Sequence, residues 1–389
     1  MKRAVIMMLV AGTLAGSAAS SSSSGATVDA LVYQDRAVLL ASLDATTLEP
    51  RGRMLPLGRG QGSVFTDRLG DRLAVASAGI GVAIVDTRRA KLVWRLPRGT
   101  LVRAVAWLSP SNLLVAEHGS VLLLDPNRKR IVSRVDYEGN VMGAARWKDG
   151  LVLLAERGAG AIEPARLVVV GPGTRVRTLN LTRIAAGRDG GENNQGPYRV
   201  AEPALAVDVA GNNAFVAGGM QVATVDLATL AVDYRGAERT LQKAAVSGPR
   251  RSAGWLGNGV LAVAGDDLGA SGDDHSTLTS TPFGLRFVTA TGVEVVDASA
   301  TNVRIAGNLA LAYGMRYAEG HGVGMGLVAY DRSGILRWRL FGDAAIGPFV
   351  VANGLAYVRT PGQVNVVDLG TGSLLVSARD PWRTFLLVG

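Results

Sequence analysis

The sequence predicts an all-β protein, an eight-bladed β-propeller with seven blades as the alternative, closed by its own C-terminal strand. Three features predict it. Short apolar runs recur in groups of four along the chain, and each group is blade-sized, at about 35 to 65 residues. Polar turns that tolerate positive φ, such as Gly70-Asp71, Asp149-Gly150, Asn258-Gly259 and Asn353-Gly354, separate the first run of a group from the second. The last run, "TFLLVG" from Thr384 to Gly389, has no group of its own, and the first group lacks its innermost run.

Within a group the innermost run is short: "SVFTD", "AVAWL", "GAARW", "PALAVDV", "SAGWL", "NVRIAG" and "GPFVVA". The second reads as a buried strand, in order "ALVYQ", "RLAVAS", "LLVAE", "GLVLLAE", "NAFVAG", "VLAVAG", "LALAYG" and "LAYVRT". The third is equally apolar and mostly ends on a turn residue: "AVLLASLD", "GVAIVD", "SVLLLD", "RLVVVG", "QVATVD", "GLRFVT", "GLVAYD" and "QVNVVD". The fourth is more polar, as in "KLVWRL" and "ILRWRLF", which suits an outer strand facing water. Four antiparallel strands repeated eight times around a closed ring leave only short protected edges.

Ahead of the blades, Lys2 and Arg3 precede an apolar stretch from Ala4 to Ala15 and small residues through Ala19. That is the layout of a cleaved secretory leader, 1–19, followed by a flexible Ser-rich stretch, 20–29, and a single propeller domain, 30–389. The apolar stretch is shorter than the roughly 20 residues of a membrane span, so no integral membrane segment is expected after cleavage. Absence of cysteine excludes disulfides, thiolate metal sites and a lipidated cysteine anchor. The formal charge of +9 becomes +7 once Lys2 and Arg3 leave with the leader. Its arginines and lysines are dispersed among turns, which allows attraction to acidic envelope polymers or headgroups but gives no nucleic-acid footprint. A secreted or periplasmic monomer is expected.

Three blades carry a common motif. "VDTRRAKLVW" places Asp86 eight residues before Trp94, "YDRSGILRW" runs from Asp331 to Trp338, and "VDLGTGSLLV" keeps the Asp and Thr-Gly with Val376 in the Trp place. These resemble copies of the repeat of the pyrroloquinoline-quinone-type eight-bladed propellers, whose blades lock through a Trp docking motif. The resemblance implies that Trp94 and Trp338 pack between neighbouring blades. The chain departs from the quinone dehydrogenases of that superfamily in lacking vicinal cysteines and in its shorter length, and from the outer-membrane assembly lipoprotein in lacking a lipidated Cys. No cofactor is carried over.

Long insertions fall at one end of the blades only: "ERGAGAIEPA", "RIAAGRDGGENNQGPYRVAE", "GDDLGASGDDHSTLTSTPFG" and "YGMRYAEGHGVGMG". Elaborated loops on one face of a rigid scaffold are where binding sites usually sit. The three histidines, His118, His275 and His321, fall in turns at that same end. With Asp266, Asp267, Asp273, Asp274, Glu192, Asn193, Tyr198, Arg199, Arg316 and Tyr317 they make a mixed polar set suited to gripping a ligand. Loops of blades six and seven are expected to share one pocket. The Asp pairs leave a divalent cation such as calcium open, although "DDLGASGDD" lacks the alternating oxygen ligands and terminal Glu of a known calcium loop. No nucleophile elbow or zinc-protease helix occurs. The sequence therefore points to a binding or scaffold module for a protein, peptide or envelope polymer, the alternative being a lyase, glycoside hydrolase or dehydrogenase using carboxylates and histidines of the same face.

Overall fold

The computed structural model describes residues 27–34, 37–59, 63–97, 101–148, 150–158, 160–189, 199–237, 248–271, 277–318, 321–379 and 385–387. Eight antiparallel sheets follow one another, seven with strands in chain order from the inside out, and form the eight blades of a β-propeller. With strands named A to D from the innermost, blade two is Val64–Leu69, Arg72–Ser77, Gly81–Asp86 and Lys91–Leu96. Blade one takes strands B to D from Thr27–Gln34, Ala37–Asp44 and Leu55–Arg59, and its strand A from Phe385–Leu387. The closing pairs are Ala30 with Leu387, Leu31 with Leu386 and Val32 with Phe385. Strand B of blade one begins at Thr27, so Thr27, Val28 and Asp29, read as the end of the flexible stretch, belong to the first blade. The leader lies outside the described residues, and among those described no helix is long and apolar enough to cross a membrane.

The blades fall into two compact units: Met1–Asp136 with Pro348–Gly389, which holds blades one, two, three and eight, and Tyr137–Gly347, which holds blades four to seven. Inside each, the second run of a blade is apolar throughout because both of its faces are covered. In blade two, Leu73 and Val75 pack with blade one, while Ala74 and Ala76 pack with Trp107 and Leu113 of blade three. A strand with neighbours on both sides loses the in–out alternation of a half-exposed one.

The turns explain two recurrent signatures. Asn258-Gly259 and Asn353-Gly354 take positive φ at both positions, +52° and +78° in the first and +52° and +75° in the second, the twist a two-residue hairpin requires. The Asp that ends strand C has a local task. Asp44 accepts from the backbone N–H of Thr46 and Thr47, and Asp86, Asp125, Asp226, Asp331 and Asp368 do the same in their own turns. Such Asx turns fix the chain reversal.

Backbone donors from Thr47 and Thr46, with the Arg51 guanidinium adding to them, hold the Asp44 carboxyl down at about 2. A depressed folded pKa contributes stability above the ordinary carboxylate value near 3.9 and loses it as pH falls toward 2. Thermal midpoints measured at pH 5 and pH 2.5 should therefore drop less in Asp44→Asn than in the parent, since Asn keeps the turn but cannot be protonated. An equal drop in both would show that Asp44 does not contribute to acid sensitivity.

Trp94 packs between blades as the motif implies, but neither motif tryptophan is deeply buried. Trp94 and Trp338 lie half-buried on outer strands, Trp94 against the cluster between blades two and three. Among the described residues the fully buried indole is Trp107, on the innermost strand of blade three. Its backbone N–H donates to Asp67 Oδ2 at 2.6 Å and its indole N–H to Asp67 O at 3.2 Å, locking blade three to blade two. Similar bonds join other blades: Tyr357 donates to Ala45 O, and Tyr330 to Asp297 Oδ2, with burial and that carboxylate pushing the Tyr330 phenol up to about 12.

Candidate functional site

In the unit Tyr137–Gly347 the insertions are in large part β-ribbon rather than loop. Strand B of blade six, Val260–Ser271, is long enough to serve two partners in succession. Strand C, Leu285–Val288, pairs with Leu261–Val263, and an added strand, Thr277–Pro282, pairs with Asp266–Ser271. Blade seven continues in the same way, with Leu309–Ala318 and His321–Tyr330 paired out to Ala318 opposite His321. Blade four lengthens strand D to Val176–Asp189 and adds Arg199–Ala201 against Gly187–Asp189. The Thr and Ser of the added strand Thr277–Pro282 suit a pleated surface.

Two of the ribbons are joined through their backbones. Glu202 N donates to Pro249 O at 2.9 Å and Arg251 N to Glu202 O at 2.8 Å, which ties the added strand of blade four to strand A of blade six, Gly248–Gly257. The approach depends on Gly248, at φ +143°, where a Cβ would overlap the Val200 carbonyl oxygen.

Around this junction the charges are arranged in pairs. Arg250 donates Nε to Asp266 Oδ1 at 2.9 Å and Nη2 to Oδ2 at 2.5 Å, a two-pronged contact with a carboxylate only 3% exposed. That hydrogen-bonded carboxylate raises the Arg250 pKa further above its ordinary value against the effect of burial, with Glu202 and Tyr317 acting in the same direction. The Arg251 side chain is fully buried. It donates to Gly219 O at 2.9 Å, Arg250 O at 3.0 Å, Asp266 O at 2.8 Å and Asp267 Oδ1 at 2.9 Å, and it lies 3.9 Å from the centre of the Phe283 ring. Arg286 covers the same ring at 4.0 Å. Burying a guanidinium is tolerable only with its donors satisfied in this way. Arg188 donates to Glu202 Oε1 at 2.5 Å, and Arg199 pairs with Asp189.

Of the residues singled out in the sequence, Asp266, Asp267, Arg199 and Tyr317 are thus placed on joined or adjoining ribbons. Tyr317 N donates to Ser280 Oγ of blade six at 2.9 Å, so the ribbons of blades six and seven do meet. Arg316 and His321 are exposed on the blade-seven ribbon. His118 belongs to the other unit, in the turn between strands B and C of blade three, where its backbone N–H donates to Leu101 O. Glu192, Asn193, Tyr198, Asp273, Asp274 and His275 lie outside the described residues. Among the described residues no three His, Asp or Glu side chains converge as metal ligands, and Asp266 and Asp267 already hold arginines.

Arg250, Arg251, Glu202 and Asp189 are partners that sequence reasoning passed over. A signal for the arginines was present. Counting outward from the Asn258-Gly259 turn sets Arg250 and Arg251 opposite Asp267 and Asp266, and a bulge between Trp255 and Gly257 moves the register by one, to Arg250 opposite Asp266. Glu202 and Asp189 carry no such mark, because their pairing depends on a contact between separate blades.

No family model matches the chain, and no curated protein matches it by sequence. Solved structures do. BamB from Moraxella catarrhalis superposes with a TM-score of 0.51 at 13% identity over 82% of this chain and 91% of that one. NirN, a dihydro-heme d1 dehydrogenase solved in complex with DHE, gives 0.58 at 14% identity over 90% and 72%. Apo AztD from Citrobacter koseri gives 0.50 at 12% identity over 88% and 91%. At these identities the likeness is one of fold, and the resemblance read from the blade motifs holds at the level of architecture.

Proposed function

We propose that the chain is a non-catalytic, extracytoplasmic binding propeller that holds a protein, peptide or envelope polymer against the ribbons of blades four, six and seven. The observation that carries this reading is how the acids of the site are used: Asp189, Glu202, Asp266 and Asp267 each accept from an arginine. A carboxylate whose oxygens are taken up by a guanidinium is engaged within the fold and is not presented to a substrate. Here the pairs brace the ribbons of blades four and six instead, and the adjoining blade-seven ribbon, joined to blade six through Tyr317 N and Ser280 Oγ, carries exposed Arg316, His321 and Val323. The basic-then-apolar leader supports export. Fold alone decides nothing, since a dehydrogenase shares it.

The test is selection of phage-displayed peptides on the immobilised protein. Selected peptides should lose at least about tenfold in affinity, several tenths of a kcal/mol for each of a few contacts, when residues 315–324 of the blade-seven ribbon are replaced by an Asn-Gly turn. The thermal midpoint should stay near that of the parent. Peptides that bind the shortened protein equally well would move the site elsewhere, and a small-molecule turnover abolished by Asp266→Asn would favour the enzyme reading.

A further inference from the structure

We propose that the turn end of blades one to three docks on an anionic lipid surface. The C-to-D turns of these blades carry a concentration of basic side chains found in no other part of the described ring. Each has one arginine engaged by the Asp that shapes the turn: Arg51 by Asp44, Arg89 by Asp86 and Arg128 by Asp125. Arg53, Arg88, Lys91, Lys129 and Arg130 remain exposed, without a carboxylate partner among the described residues. By contrast, the C-to-D turns of blades four to eight hold only Arg175 and Arg332, and Arg332 is engaged by Leu256 O at 2.8 Å.

The three blades are neighbours, joined by bonds at this end and along their outer strands. Arg72 of blade two donates to Asn127 Oδ1 in the blade-three turn at 2.9 Å, and Arg95 of blade two reaches Leu57 O of blade one. Next to Arg130 stand Ile131 and Val132, each 47% exposed. A bulge falls here: Leu123 faces Ser133 and Leu124 faces Ile131, which leaves Val132 as the extra residue of the outer strand. An added residue of this kind re-aims its side chain.

Charge and apolar side chains together select the partner. Lipid phosphates attract each nearby lysine or arginine, while exposed aliphatic side chains enter the interface just below the headgroups. A soluble acidic polymer would engage the charges and leave Ile131 and Val132 in water. The surface lies on a different unit from the ribbons of blades four, six and seven, so it is independent of the function proposed for them.

Flotation with phosphatidylcholine vesicles, with and without phosphatidylglycerol, tests the proposal, with soluble polyphosphate as the competing probe. The protein should float only with phosphatidylglycerol, and high salt should release it. Substituting Arg88→Ser, Lys129→Asn and Arg130→Thr together should lower partitioning on the order of 100-fold. Asn is chosen because Lys129 sits at φ +53°, a conformation Asn tolerates. Ile131→Thr with Val132→Thr should weaken vesicle binding several-fold and leave polyphosphate binding unchanged. Should the triple variant fail to fold, Lys129→Asn alone should still cost roughly fivefold. Flotation with neutral vesicles, flotation unaffected by the charge variants, or binding to polyphosphate without binding to vesicles would each overturn the proposal.

Discussion

A chain ending at residue 384 should aggregate or melt far below the intact protein. Phe385–Leu387 supplies three residue pairs to strand B of blade one, and at about 1 kcal/mol per backbone hydrogen bond their loss alone costs a few kcal/mol. The larger effect is exposure of what they cover. Ala30, Leu31 and Val32 are at most 1% exposed, and removing strand A turns their strand into an open apolar edge, the usual template for pairing with another chain. Differential scanning calorimetry and light scattering of the truncated protein check this. An unchanged melting temperature and a monodisperse sample would mean that the ring is held shut by other contacts.

Trp107→Ala is the point substitution with the largest expected effect. The indole is completely buried, packs in the cluster between blades two and three, and donates through its ring nitrogen to Asp67 O. Removing a buried aromatic ring leaves a cavity that strands on two blades cannot both collapse into, at a cost of about 3 to 5 kcal/mol. Trp107→Phe should recover much of the loss by refilling the volume without the hydrogen bond. Half-buried Trp94 and Trp338 should cost visibly less when truncated. Urea midpoints rank the three, and a Trp94→Ala variant less stable than Trp107→Ala would reverse the assignment.

The architecture was legible because a blade is a local object. Its strands follow one another in the chain, so apolar runs such as "RLAVAS" and turns such as Asn353-Gly354 report directly on it, and the unattached "TFLLVG" announced the closing strand. The inserted ribbons were placed correctly along the chain but misread as loops, because Gly-rich segments such as "GHGVGMG" hide the strand signal that their pairing supplies. Site geometry was harder to read. Arg250 and Asp266 could be matched by counting from a hairpin turn, but Glu202 meets Pro249 and Arg251 through a contact between blades, which sequence spacing does not encode. The motif tryptophans were recognised by their distance from an Asp, a spacing that fixes position along a strand and is silent on depth. Trp107, in a run without that motif, proved the buried one.

The closing strand also sets an order in time. The unit Tyr137–Gly347 is one unbroken stretch, so all four of its blades are in hand as soon as that stretch has been made. The other unit is not, because strands B to D of blade one come first and their innermost strand comes from residues 385–387. At ~5–20 residues per second of synthesis, the first blade waits roughly 15 to 70 s for its last strand. Throughout that interval Ala30, Leu31 and Val32 have one edge uncovered, which makes blade one the natural client of any holding chaperone. The ring therefore cannot lock until that last strand arrives.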